Sequence, residues 1–501
     1  MDRKCVIIGA GLGGLSCGAI LARHGFEVTV LEQERKVGGC LQTFVREGVK
    51  FETGMHFIGS AARGEILDTM LRFIGIRDGL VLHALDRDCY DIINYKGQDF
   101  PFRNGREAFV EGLSQYFPGS RDSLAAYIET VYRVSDALSV ESFNPERGLD
   151  AHDSEWHRRS VNSVIDELIE ERDLREVLVG NQPLYAGVRG STPFALHAFT
   201  TSFYNRSAWR IEGGSDRIAA LLEKCIIDAG GEVMTRCRAV EIVCNETRAT
   251  GVKYICGGVS QTIEADTVIS TAHPSISIGM VKSPLLRPVF RKRIEDMPDT
   301  IGVFELYLKF KQGKVPYMNS NRFVYRGGTV WDSECYTNSN WPLSFLYMHQ
   351  YPQFDANYAD AGVILAYMRM DELSRWSDTV TGRRGEEYEE FKRVKAATLI
   401  EAASDCLPEL KDGLERYWTS TPLTYRDYTG TRNGSLYGIA KDVKLGAAGR
   451  VSFRTRVPNL FLAGQSVNSH GILGVLMGSF VVCDNLLGSG VMYEGIRSSI
   501  L

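Results

Sequence analysis

Residues 4–32 read KCVIIGAGLGGLSCGAILARHGFEVTVLE. The run Cys5–Ile8 is short, apolar and rich in β-formers, as a buried parallel strand is. Gly9, Gly11 and Gly14 follow it as G-x-G-x-x-G. In that pattern the first glycine makes a tight turn, the second lets backbone approach a pyrophosphate, and the third lets helix pack close on strand. The spacing predicts a helix over about 12–24, ended by Gly25, with its N-terminal amides facing the phosphates. Phe26–Leu31 alternates as a second strand and closes on Glu32. That acid arrives about twenty residues after the glycines, where a carboxylate accepts hydrogen bonds from ribose hydroxyls. Strand, glycines, helix, strand and acid in register point to a bound dinucleotide.

The chain around this unit has 501 residues, which favours two or more domains. With 44% hydrophobic and 24% charged residues, its composition is that of a globular protein. A net charge of −5, from 57 basic and 62 acidic residues, argues against a phosphate-backbone partner, so no nucleic acid is expected. The eleven cysteines are scattered without a Cys-x-x-Cys pair. They predict reduced thiols in a cytoplasm rather than a disulfide framework or a zinc site, and no metal is expected. The H-E-x-x-H pattern of zinc hydrolases is absent. The basic stub Arg3-Lys4 before an apolar run imitates a secretion signal, but five glycines within residues 9–18 make a poor hydrophobic helix. The other long apolar stretch, 471–487, is marginal in length for a bilayer and is interrupted by Gly, Ser, Asp and Asn; it predicts a buried helix. No internal repeat or low-complexity tract is present.

Three remote segments bear on which dinucleotide is held. Arg35-Lys36-Val37-Gly38-Gly39-Cys40 follows the acid directly, and its paired glycines let backbone pass close to a bulky group. Residues 209–274 predict an amphipathic helix over about 215–229, then Gly230-Gly231, then strands around 232–243, 251–256 and 262–270. Residues 458–488 predict a strand, Leu460–Ala463, ending at Gly464, and a helix starting near Leu473.

These blocks are similar to those of the glutathione-reductase-like flavoproteins, and within them the chain resembles the phytoene desaturase and retinol saturase branch of FAD oxidoreductases. FETGMHFIG (51–59), ERDLREVLVGNQPLYAGVRGSTPFALHAF (171–199) and TPLTYRDYTGTRNGSLYGIAKDV (421–443) carry that likeness over most of the chain. GQSVNSHGILGVLMGS departs from the branch's G-D and P-G-x-G forms. Gln465 stands where most relatives carry an acid on the ribityl chain, although retinol saturases also place Gln there. Cys40 replaces an Arg frequent in desaturases.

The resemblance implies an α/β fold in which a Rossmann-type FAD-binding domain (1–75, 205–275 and 430–501) interleaves with an α+β substrate domain (76–204 and 276–429) like that of amine oxidases. FAD is the implied cofactor. Its expected contacts are Gly9, Gly11, Leu12, Gly13, Gly14, Glu32 and Gln33 in the first unit. Gly38, Gly39, Cys40, Leu41, Gly54 and His56 come next, followed by Val240, whose backbone would meet the adenine. Gly464, Gln465, Gly471, Ile472 and Leu473 complete the set, the last helix aiming its N-terminus at the flavin's pyrimidine oxygens.

In the substrate domain, residues 160–179 predict one helix with Ser160 as N-cap. Residues 302–310 predict a strand with one buried face, flanked by 321–326 and 362–369. Phe203, Tyr204, Trp209, Trp341, Phe345, Tyr347, Tyr351 and Phe354 would suit a flat apolar ligand, or build an ordinary core. The candidate proton donors are His56, Tyr437 and His470, each with a structural alternative as flavin or backbone partner, packing ring or turn cap. His197 and Tyr185 read as structural or pocket-lining.

The function implied is an FAD-dependent oxidoreductase acting on a carbon–carbon double bond of an apolar polyene or isoprenoid, with saturation of the all-trans-retinol 13,14-reductase type favoured. NAD(P)H is a candidate electron donor, and a lipophilic substrate would bring peripheral membrane contact. The competing readings are a desaturase, a redox-neutral carotenoid cis–trans isomerase, an amine or protoporphyrinogen oxidase on the same scaffold, and a prenyl-binding escort without catalysis.

Overall fold

In the computed structural model, residues 3–137, 144, 155–467 and 469–499 are described. The opening segment forms β1 (Arg3–Ile8), α1 (Leu12–Arg23) and β2 (Phe26–Leu31). Gly25 ends α1 at φ +81°, a left-handed conformation that costs glycine little. A parallel sheet forms around β1 in the order β3 (Glu232–Met234), β2, β1, β4 (Thr267–Ser270), β5 (Leu460–Leu462). Strands hundreds of residues apart are thus direct neighbours: Ile7 lies opposite Val30 on one side and Ile269 on the other. The apolar run of β1 follows from its central place, covered on both faces.

The helix α2 (Gly471–Leu487) packs along α1, with Ser479 Oγ donating to the Gly13 carbonyl at 3.2 Å. Its buried Leu476, Phe480 and Cys483 belong to the same core as Leu15 and Leu21 of α1. The stretch 471–487 is therefore a core helix, beginning two residues before the expected Leu473. Among the described residues no single helix is long and apolar enough to cross a membrane.

Between β3 and β4 the chain makes an antiparallel sheet from Cys237–Cys244, Ala249–Cys256 and Val259–Glu264, preceded by the helix Asp216–Asp228. Here one expectation is corrected. Cys237 and Cys256 face each other across the first two strands and form a disulfide, their Cα atoms 4.3 Å apart. A spacing without a Cys-x-x-Cys pattern hides such a pair, because hairpin register alone brings it together.

The second large sheet has seven strands in the order 414–420, 302–310, 361–368, 344–349, 321–325, 91–95, 98–102. The strand Gly302–Phe310 is buried on both faces, not one. Phe304, Leu306 and Leu308 enter one core while Tyr307 enters another, edge-on to Phe44 at 4.8 Å between ring centroids. Its neighbours are 361–368 and 414–420; the expected neighbour 321–325 lies three strands away. The helix expected over 160–179 is two helices, Val161–Leu168 and Arg172–Leu178. Ser160 caps the first, accepting from Ser163 N. Ile169 then turns extended (φ −122°, ψ 122°) and its carbonyl accepts from Arg175 Nε at 2.6 Å, so the break leaves that acceptor paired.

The join between β1 and α1 leaves no room for a side chain at Gly14. A Cβ placed on Gly14 would lie 1.9 Å from the Gly9 carbonyl oxygen, which is backbone and cannot step aside. Gly14→Ala should therefore destabilise the protein by about 1–3 kcal/mol, the usual cost of forcing extra volume into a packed site. A thermal melt of the variant at the wild-type midpoint would contradict this account of the turn.

Candidate active site

At the carboxyl ends of β1 and β2 the chain leaves a long cleft. Gly9, Gly11, Leu12 and Gly13 form its floor, with the first turn of α1 behind them. Ala10 is held from both sides: its N–H donates to Glu32 Oε2 at 2.8 Å, and its carbonyl accepts from Gly38 N at 2.7 Å. Glu32 Oε1 also accepts from Glu34 N at 2.8 Å. The carboxylate is thereby aimed at the end of β2 with lone pairs left over for a ligand. Gln33, Gly38, Gly39, Cys40, Leu41 and Gly54 continue the wall. Gly464, Gln465, Gly471 and Ile472 close it from the far end of the sequence.

Several expected contacts stand elsewhere. Gly14 faces the Gly9 carbonyl and serves packing. Val240 sits at a β-bulge between Ala239 and Glu241, and Arg238 and Ala239 line the cleft instead. Leu473 and His56 are not on its wall. Residues the sequence reading passed over do line it, among them Thr271, Ala272, Met280, Leu436 and Tyr425. Tyr425 belongs to the TPLTYRDYTG stretch already singled out, so a partial signal was present. Of the aromatic set, Trp341, Phe345 and Tyr347 are core of the seven-stranded sheet, and Phe354 is exposed.

The three candidate proton donors have distinct surroundings. Tyr437 lines the cleft, but its hydroxyl donates to the Pro183 carbonyl at 3.0 Å, and burial pushes its pKa up. His470 packs its ring on Tyr437 at 4.3 Å and precedes α2 without capping it through its side chain. Burial, helped by the nearby Lys441, pushes the His470 imidazole down to about 3, so it is neutral at pH 7. His197 is likewise held neutral by burial, at about 3, between Tyr127 and Tyr185 hydroxyls at 2.7 and 2.9 Å; it is a structural residue. His56 lies between two buried carboxylates: Nε2 is 3.4 Å from Glu305 Oε1 and Nδ1 is 3.9 Å from Glu52 Oε2.

The flavin containing amine oxidoreductase family matches residues 12–480. The chain belongs to that family. Flavin-containing amine oxidoreductases are FAD-dependent oxidoreductases, and this chain is one of them. It is 27% identical over 98% of its length to the all-trans-retinol 13,14-reductase of Rattus norvegicus, covering 87% of that protein. It is 25% identical to the zeta-carotene-forming phytoene desaturase of Myxococcus xanthus, over 97% of this chain and 94% of the other. The fold matches the crystal structure of an oxidoreductase from Methanosarcina mazei with a TM-score of 0.64, at 16% identity, over 96% of this chain and all of that one.

A flavin-containing amine oxidoreductase must hold an adenine dinucleotide, and the cleft fits one. A Cβ on Gly11 or Gly471 would meet nothing within 4 Å, so both backbones border open space. The first amides of α1 have no intrahelical partner and face an anion placed there. Replacing Glu32 by Ala would strip acceptors from Ala10 N and Glu34 N as well as from the ligand. Unmade buried hydrogen bonds cost about 1–3 kcal/mol, so Glu32→Ala should weaken FAD binding roughly 10- to 100-fold. Titration of apoprotein with FAD, followed by flavin fluorescence, checks this; an unchanged affinity would remove Glu32 from the site.

Proposed function

We propose that this chain saturates a carbon–carbon double bond of an apolar polyene or related isoprenoid, with bound FAD as the redox group and NAD(P)H as the donor that restores it. The observation that carries the reading is the change in character along the cleft. Glu34 and Arg238 lie at its β2 side, whereas Met55, Leu436, Ile472 and Val475 line it beside the start of α2. An apolar, dry end suits a hydrocarbon chain, whose burial gains about 25 cal/mol per Å². Met55, Leu436, Ile472 and Val475 offer no charge to an amine, and the groove next to them sets Arg35, Lys36, Arg236 and Arg384 against Glu34 and Glu389. The Rattus norvegicus relative's name, a 13,14-reductase of all-trans-retinol, supports the saturating direction. The Myxococcus xanthus relative supports desaturation as the second reading.

Bound FAD would supply two-electron chemistry. The chain's own residues shape the site and exclude water: Tyr437, tied to Pro183 and packed on His470, is the rigid wall of the apolar end. A substrate of this kind is membrane-dissolved, so the enzyme would meet it at a lipid surface. The test is anaerobic. Protein with photoreduced flavin is mixed with all-trans-retinol, phytoene or lycopene, and the flavin absorbance and product mass are followed. Saturation predicts recovery of the oxidised flavin spectrum and a product heavier by two hydrogens. In a parallel mix with oxidised flavin, bleaching by the polyene would favour the desaturase instead, and no response of either form to any polyene would end both readings.

A further inference from the structure

Beside the cleft, behind Thr53 and Tyr425, the fold buries Glu52, His56 and Glu305, none of which lines the cleft. Glu305 is fully buried on the central part of the seven-stranded sheet. Its Oε2 accepts from the Tyr307 hydroxyl at 2.7 Å, with Ser420 Oγ at 3.4 Å, and shares the single Tyr425 hydroxyl proton with the Thr53 carbonyl, each 2.8 Å from that oxygen. Its Oε1 has no hydrogen-bond partner and faces His56 Nε2 at 3.4 Å. Neither ring nitrogen of His56 is hydrogen-bonded, and on its other side stands Glu52, which accepts from Ser215 N at 2.9 Å. Two buried carboxylates thus flank one imidazole in an enclosed site, with Glu305 Oε1 and both ring nitrogens lacking a hydrogen-bond partner.

The charged surroundings act in both directions. Arg210, fully buried, reaches the His56 carbonyl at 3.4 Å and favours the ionised form of Glu52, while Asp216 at the start of the next helix opposes it. Burial outweighs both and pushes the Glu52 carboxyl up. Cys40, on the turn that lines the cleft, is pushed up to about 11 by burial and then by the charge of Glu305. The Tyr425 hydroxyl is also pushed up, so it carries its proton at neutral pH.

We propose that Glu52, His56 and Glu305 are a proton relay that delivers one proton to the cleft through the Tyr425 hydroxyl. Tyr425 is the link because it lines the cleft and hydrogen-bonds Glu305. Tyr307 and Tyr425 also border a neighbouring open groove of about 1260 Å³, which lets solvent recharge the relay. The relay completes the saturation proposed above. FAD held in the cleft would supply the hydride for one carbon, and the relay would supply the proton for the other. The π bond would be exchanged for two C–H bonds, and the two electrons would be replaced by a donor of the nicotinamide class. Glu52, His56 and Glu305 are positioning residues in this scheme; Tyr425 touches the cleft.

The relay rests on the saturation reading only in its kinetic arm. In the first arm, infrared difference spectra of apoprotein at neutral pH, in H2O and D2O, compare wild type with Glu305→Gln and Glu52→Gln. A protonated-carboxyl band that shifts in D2O and is lost in either isosteric variant is expected; its persistence in both overturns the proposal. In the second arm, Glu305→Gln and Tyr425→Phe, with flavin content equal to wild type, should slow polyene-driven reoxidation about 100-fold, a usual contribution of general acid catalysis. They should also abolish its solvent deuterium effect. Wild-type rates with an unchanged isotope effect would overturn the relay, whereas a lost band in a protein inert to every polyene would fault the substrate reading alone.

Discussion

Everything the cleft does depends on the clasp around Ala10. This one residue ties three segments together: its N–H is taken by Glu32 and its carbonyl by Gly38. The turn between β1 and α1 can close this tightly only because Gly14 presents no Cβ to the Gly9 oxygen. Once it is closed, the first amides of α1, the carboxylate at the end of β2 and the paired glycines all face the same space. The helix α2 then docks on α1 through Ser479 and brings Gly471 to that space from the other end of the chain. A loosened clasp would misplace phosphate, ribose and flavin contacts together.

The ionisable groups divide by burial into silent and poised. His470 and His197 are stripped of water without a counter-charge, so they stay neutral and act as polar walls. His56 is stripped of water between Glu52 and Glu305, which changes its chemistry. Of the two carboxylates that flank it, burial pushes Glu52 up, and Glu305 Oε1 has no hydrogen-bond partner. The same residue type therefore plays opposite parts within one protein.

The dinucleotide unit was legible because its requirements are local. Gly9, Gly11, Gly14 and Glu32 lie within one βαβ stretch, and each is demanded by backbone geometry or by a ribose. Long-range features were hidden. Glu305 alternates with Phe304 and Leu306 and shares a strand face with Lys309, so it reads as solvent-facing; the packing of Phe44 and Phe51 on Tyr307 is what seals it in. The break after Leu168 depends on Arg175 capturing a carbonyl, which periodicity does not encode. The Cys237–Cys256 pair depends on hairpin register, and the shift from Val240 to Ala239 depends on a bulge one residue long. Tyr425 lay in a recognised stretch, but its role needed Glu305 to be placed first.

The central claim is that remote segments converge on one FAD whose diphosphate rests on the amides after β1. The most direct measurement is the absorption spectrum of the purified protein with its flavin stoichiometry after denaturation. The account predicts a yellow protein with one FAD per chain. A colourless protein that stays colourless when FAD is added would contradict it.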